Sequence, residues 1–285
     1  MFTLTDAPLE VVSETKCFEG TVGVYRHRSE TIDGEMEFAV YVPPINKSKS
    51  FPALWYLSGL TCTWENVCTK AGAQAHAARH GLIFVMPDTS PRDANISGED
   101  DDWDFGTGAG FYLDATRKPW ANHYRMYSYI REELFELVSR HFPVETNCHG
   151  ITGHSMGGHG SLIMALKEPN QFQSVSAISP VCHPVNSPWG KKAFHHYLGS
   201  EKEIWKSYDA TELVKSDQRF DGKILIDQGS DDSFLDEQLR PDAFKDACEK
   251  NGQPLDLRIR EGYDHSYYFV STVIGEHFEH HARHL

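Results

Sequence analysis

The stretch GITGHSMGGHGS, Gly150 to Ser161, decides how the rest of the chain is read. Its centre, Gly153-His154-Ser155-Met156-Gly157, fits the pattern G-x-S-x-G, in which a serine occupies a sharp, strained turn between a strand and a helix. Bulky neighbours clash in such a turn, so its flanks require glycine. Three fixed positions in five recur by chance, and the pattern alone does not separate a nucleophile from a glycine-rich bend. The surroundings argue for the nucleophile. HGITG before the serine reads as a short strand, and GGHGSLIMALK after it reads as a helix whose early glycines allow close packing on a sheet.

A serine hydroxyl is a weak nucleophile and needs a base, which in turn needs an orienting carboxylate. When the serine stands on a strand-to-helix turn, the order along the chain is serine, acid, histidine. Downstream, ILIDQGSDDSF is an apolar run into Gly229 followed by Asp231-Asp232, and EGYDHSYYF sets His265 in a loop before the last helix. Asp232 is favoured as the acid because it falls three residues after Gly229. Asp231 remains the alternative, and Asp264 is too close to His265 in sequence to face it. Ser155, the aspartate and His265 each follow a strand, where open α/β sheets build their sites. The oxyanion of acyl transfer requires fixed backbone donors. One is the amide of Met156. The other is that of Leu60 in LWYLSGLTCTWEN, where Gly59 lets the backbone turn, although a plain strand-to-helix turn reads the same way.

Strand and helix patterns alternate along the rest of the chain. Strands are expected at Met36–Pro43, Ala53–Ser58, Leu82–Pro87, Ser174–Ser179, Lys223–Gln228 and Leu255–Arg260. Helices are expected at about Glu65–His80, His123–His141, Gly157–Lys167, Asp236–Asn251 and Ser266–His284. This alternation predicts an α/β fold with a mainly parallel sheet. The irregular stretch Asp88–Thr116 is long for a loop, and its aromatic residues argue against disorder.

With 285 residues, the chain suits one large domain. Its 27 basic against 41 acidic side chains give a formal charge of -14, which disfavours nucleic acid and anionic membranes as partners. No run of apolar residues is long enough to span a bilayer, and the first residues lack the pattern of a signal peptide. Six scattered cysteines read as free thiols in a reducing compartment. Cys62 and Cys68 have no second pair with which to hold zinc. Among the 16 histidines, His154 is expected beneath the serine turn and His159 on the helix. The tail EHFEHHARHL reads as a polar helix end near the negative pole of the helix rather than a metal site.

YLSGLTCTWEN, MPDTSPR, GHSMGGHGS, SPWGKKAF, YDAT, IDQGSDDSFL and EGYDHSYYF together resemble the S-formylglutathione hydrolase, or esterase D, family, in order and over nearly the whole chain from about Phe18 to Leu285. The resemblance implies one α/β-hydrolase domain over residues 1–285, a homodimer in the cytoplasm, and no cofactor or metal. It implies a thioesterase that hydrolyses S-formylglutathione to glutathione and formate in formaldehyde removal. Carried over by motif, Ser155 is the nucleophile, Asp232 the acid and His265 the base, with Leu60 and Met156 at the oxyanion. A formyl group calls for a small acyl pocket. Glutathione is expected against the Trp103–Tyr112 segment, including Phe105, and near Trp189. Lys191, Lys192 and Arg92 are candidates for its carboxylates and Asp104 for its amine. Cys62, close to the oxyanion segment, is either a buried small residue or a site of thiol sensitivity.

Overall fold

Nine strands share one sheet in the computed structural model, which describes residues 9–44 and 50–285. They are β1 (Glu10–Cys17), β2 (Gly20–Ser29), β3 (Gly34–Val42), β4 (Phe51–Leu57), β5 (Ile83–Pro87), β6 (Val144–Gly153), β7 (Ser174–Ile178), β8 (Ile224–Gly229) and β9 (Leu255–Arg260). Their order is β1-β2-β3-β5-β4-β6-β7-β8-β9. Pairing is antiparallel from β1 to β5 across β2 and β3, and parallel from β5 through β4 to β9. This is the α/β-hydrolase architecture, a mainly parallel sheet with helices on both faces.

The period of two along β3 and β4 assigns those faces. Phe38, Val40, Trp55 and Leu57 enter one apolar core with Leu162, Ile163 and Met164 of the helix Met156–Lys167. Ala39, Tyr41, Leu54 and Tyr56 enter the other with Phe269, Val270, Val273, Ile274 and Phe278 of the C-terminal helix Tyr267–Ala282. Strands buried on both faces carry the near-continuous apolar runs seen in the sequence.

The six strands expected apart from the serine turn all form, with ends displaced by at most two residues, and the short strand read at HGITG is β6, which begins earlier, at Val144. The hairpin β1–β2 has no counterpart among the expectations, because β1 is exposed along almost its whole length and carries no apolar run. The helix expected over Glu65–His80 is two, Trp64–Lys70 and Ala73–His80, divided where Gly72 takes φ +63°. Asp236–Asn251 is likewise broken, by Arg240 at φ +53° ahead of Pro241. The helix Pro188–Leu198 arises where none was expected. Between β5 and Trp120 the long segment forms only isolated bridges, Gly106 with Ala109 and Asp114 with Arg125. It is nonetheless anchored, because Phe105, Phe111 and Tyr112 are buried in the core. No helix among the described residues is long and apolar enough to cross a membrane.

The histidine-rich tail is a polar helix end on its outer face only, with Glu276, Glu279, Arg283 and His284 exposed. His277 and His281 lie four residues apart, hence on one face, and both are fully buried against the sheet. His277 bridges Ser176 and the buried Asp227, and His281 bridges Ser174 and Ser176. Burial holds several histidines in the neutral form. It lowers His149, His159 and His280 to about 4, and His154 and His281 well below the ordinary value of 6.5. The unfolded chain protonates these rings near 6.5 while the folded chain does not. Their stabilising contribution is therefore complete above pH 6.5 and is lost as the pH falls toward 4. The thermal midpoint is expected to drop by on the order of 5 °C or more between pH 7.5 and 5.5. A flat profile from scanning calorimetry would show that the rings titrate in the folded protein as they do in the unfolded chain.

Candidate active site

β6 runs into the helix Met156–Lys167 with no intervening loop, and Ser155 is the junction. Its backbone stands at φ +58°, ψ -120°, a region that disfavours a non-glycine residue unless the surroundings enforce it. Three hydrogen bonds do so: the Ser155 amide donates to Ile178 O at 3.0 Å, the Gly157 amide to His154 O at 2.8 Å and the Val181 amide to Ser155 O at 3.2 Å. A Cβ on Gly153 would come within 2.4 Å of the Gly157 carbonyl, and one on Gly157 within 1.9 Å of the Leu57 carbonyl. The motif's two glycines are therefore steric requirements of this turn. Ser155 itself is 3% exposed.

The carboxylate that meets His265 belongs to Asp232, whose Oδ2 lies 2.5 Å from His265 Nδ1. Asp232 is buried, and its Oδ1 accepts from the Phe234 amide at 2.9 Å, while Gln228 Nε2 donates to Oδ2 at 3.2 Å. These neutral donors hold the carboxylate in place without neutralising it. Asp231 faces the solvent and accepts from the Ser230 hydroxyl. Asp264 also points away, accepting from the Ser266 amide and hydroxyl at the start of the C-terminal helix. Two rings bracket His265, with centroids 4.6 Å away for His154 and 5.1 Å for Phe234. His154 directly precedes Ser155, so the imidazole stands beside the serine turn.

The loop after β4 lies against the same turn. A Cβ on Gly59 would be 3.1 Å from that of Ser155, so any larger residue at position 59 would press on the serine. Among the described residues, neither the Leu60 nor the Met156 amide has a hydrogen-bond acceptor. A hydroxyl on a strained turn, an imidazole oriented by a buried carboxylate and two unspent amides are the parts that acyl transfer requires. Among the described residues, no group of three or more His, Cys, Asp or Glu side chains is placed to hold a metal ion.

An aromatic wall leads outward from His265. Phe234 packs on Trp189 at 4.7 Å between centroids, and Trp189 meets Trp103 edge-on at 5.6 Å. Trp103 is 57% exposed and forms the outer end. Phe105 instead packs inward among Trp120, Tyr197 and His196. Lys192 sits between Asp102 and Asp104, at 2.8 and 2.5 Å, and Arg92 is held by Asp88. Lys191 is exposed and forms no ion pair among the described residues. Cys62 is partly buried, which pushes its thiol above the ordinary value. Phe234, Gln228 and His154 are the residues at the site that motif reading missed as contacts of the acid and the imidazole. All lie within the quoted motifs, but only the folded chain turns them toward Asp232 and His265.

A family model described as "Putative esterase" matches residues 29–281. Over 97% of its length the chain is 54% identical to the S-formylglutathione hydrolase of Rattus norvegicus, covering 99% of that protein. It is 49% identical to that of Paracoccus denitrificans, again over 97% of the chain and covering 98% of the relative. The solved structure of an S-formylglutathione hydrolase from Agrobacterium tumefaciens superposes with a TM-score of 0.94 at 47% identity, covering 97% of this chain and 99% of that one.

The close approach at Gly157 gives a structural prediction. Gly157→Ala is expected to cost on the order of 3 kcal/mol or more, because the added carbon meets backbone that cannot move aside. Gly72→Ala, which meets only open space but needs φ +63°, is expected to cost about 1 kcal/mol. Equal urea midpoints for the two variants would contradict the packing described.

Proposed function

The chain belongs to the S-formylglutathione hydrolase family, and from that premise we propose that it hydrolyses S-formylglutathione to glutathione and formate as a serine thioesterase. The observation that carries the mechanism is the 2.5 Å contact of Asp232 with His265 beside the strained turn of Ser155. The family supplies the substrate.

In this reading His265 takes the proton of Ser155 as the hydroxyl oxygen attacks the formyl carbon. The amides of Leu60 and Met156 receive the oxyanion. The C–S bond breaks, the proton passes from His265 to the departing thiol, and a formyl ester remains on Ser155. Water, deprotonated by His265, then attacks that ester and releases formate. Asp232 fixes the imidazole with Nδ1 turned toward the carboxylate and stabilises its charged form. The wall of Phe234, Trp189 and Trp103 is the surface offered to the thiol portion of the substrate, and Lys191, without an ion pair among the described residues, is a cation available to a carboxylate. Lys192 serves there as part of a mixed patch with Asp102 and Asp104, able to face a zwitterion.

The proposal extends to a chain acting as one domain, residues 1–285, paired with a second copy in the cytoplasm. All six cysteines are free, which suits a reducing compartment. The edge strand β1 leaves Val11 and Val12 exposed at 56% and 43%, a surface open to a second copy.

Steady-state rates on S-formylglutathione, S-acetylglutathione and p-nitrophenyl acetate test the reading. Ser155→Ala should lower kcat by a factor of about 10⁴ or more, and Asp232→Asn by about 10³ to 10⁴. Asp231→Asn should stay within about threefold, as expected of an exposed side chain away from the imidazole. A reversed order of the two aspartates would move the acid. Equal or better turnover of the plain ester would leave the serine mechanism and remove the glutathione thioester as substrate.

A further inference from the structure

The loop that carries Leu60 has no regular structure of its own, yet it must hold an amide in place to a fraction of an ångström. Between the end of β4 at Leu57 and the helix beginning at Trp64, Thr61 stands at φ +67°, a left-handed conformation unfavourable to a β-branched residue. Its side chain is exposed, so core packing does not impose that conformation. Polar contacts on either side of it do. The Thr61 amide donates to Gly108 O at 2.9 Å, which turns that peptide toward the segment that follows β5. The carbonyl of the next residue, Cys62, accepts two hydrogen bonds, from Thr89 Oγ1 at 2.5 Å and from Arg92 Nη2 at 2.8 Å.

Both donors are themselves held by Asp88, the first residue past β5. Arg92 Nη2 and Nε reach its carboxylate at 2.6 and 3.1 Å. The Thr89 amide donates to Asp88 Oδ1 at 2.6 Å. Asp88 is 5% exposed, whereas the Arg92 side chain keeps about a third of its surface in solvent. A charge-assisted fork of this kind is rigid and directional.

We infer that Arg92 is a positioning residue for the reaction: anchored on Asp88 and acting with Thr89, it clamps the Cys62 carbonyl and so sets the direction of the Leu60 amide. The inference rests on the role given to Leu60 under the proposed function. It also reassigns Arg92, which the sequence offered as a contact for a substrate carboxylate. Its guanidinium is committed to Asp88 and to the Cys62 carbonyl of the loop. A donor that moves by a fraction of an ångström loses much of its effect on the oxyanion while leaving ground-state binding alone, so the loss belongs in kcat rather than KM.

The test uses the full chain and rates per active site, counted by titration with a fluorophosphonate, so that misfolded protein does not enter. For Arg92→Gln, kcat on both S-formylglutathione and p-nitrophenyl acetate is expected to fall by about tenfold to hundredfold, with KM within about twofold. Inhibition by methylboronic acid, which forms a tetrahedral adduct on the serine, should weaken by a similar factor. Arg92→Lys, able to reach the carbonyl but not to form the fork, should restore part of the loss. Arg92→Gln leaves a buried carboxylate unpaired, and the double variant Asp88→Asn/Arg92→Gln carries the test without that charge. Thr89→Val removes the other donor and should lower kcat in the same direction. Unchanged kcat per active site, a loss confined to KM, or unaltered boronate inhibition would each overturn the clamp. If wild type fails to turn over S-formylglutathione, the proposed substrate falls, and the clamp is still decided on p-nitrophenyl acetate.

Discussion

The site depends on how closely the helix Met156–Lys167 approaches β4. Space for a side chain at Gly157 is absent because the Leu57 carbonyl would lie 1.9 Å from its Cβ. That same carbonyl accepts the His154 amide at 3.0 Å. One oxygen therefore sets the position of the turn that carries Ser155 relative to the strand that leads to Leu60. Because the helix starts against the end of β4, the first free amide of the helix and the free amide of the loop after β4 come to the same region. Among the described residues neither amide is spent on the fold, which leaves both able to serve the oxyanion in the proposed reaction.

The acid and the imidazole reach this region by a different route. Asp232 follows β8 and His265 follows β9, neighbouring parallel strands in register from Ile224–Leu255 to Gly229–Arg260. Adjacent strands that end together bring their following loops together, so two residues 33 apart in sequence meet at 2.5 Å. Burial of the Asp232 carboxylate, with the Phe234 amide and Gln228 as neutral donors, keeps its field directed at the imidazole rather than at a competing cation. The chain as a whole is acidic, and an anionic substrate gains nothing from long-range attraction. In the proposed reading, recognition at the rim comes instead from contact with aromatic surface and from the local mixture of Lys191, Lys192, Asp102 and Asp104.

Local chemistry was legible wherever a residue's role follows from its immediate neighbours along the chain. The serine turn needs its glycines, and the strands buried on both faces need their apolar runs. That Asp232 rather than Asp231 meets His265 agrees with its place three residues past Gly229. What escaped was set by contacts distant in sequence. β1 gains its place by pairing with β2, not by burying an apolar face, so its composition gives no sign of it. Four-residue spacing turns His277 and His281 into the core, but the polar letters around them describe a surface. The break at Arg240 likewise has no helix-breaking residue until Pro241, which alone would permit a helix to begin there.

The long segment between β5 and Trp120 shows why a stretch without helix or strand can still be rigid. Its polar backbone is spent on the site from outside, Gly108 O on the Thr61 amide and Phe111 O on His159 at 3.0 Å, and on itself, the Gly108 amide on the Ser90 hydroxyl at 2.7 Å. Tyr112 completes the set by donating to Ser58 O at 2.8 Å from a fully buried ring. The segment touches both the loop after β4 and the helix after Ser155, and it carries Trp103 at the outer end of the aromatic wall. A single segment thus holds the loop after β4 and, through Trp103, ends the aromatic wall. If the proposed roles of Trp103 and Leu60 hold, changes to its exposed tip alter which thiol portion is received, while its buried arms keep the Leu60 amide in place.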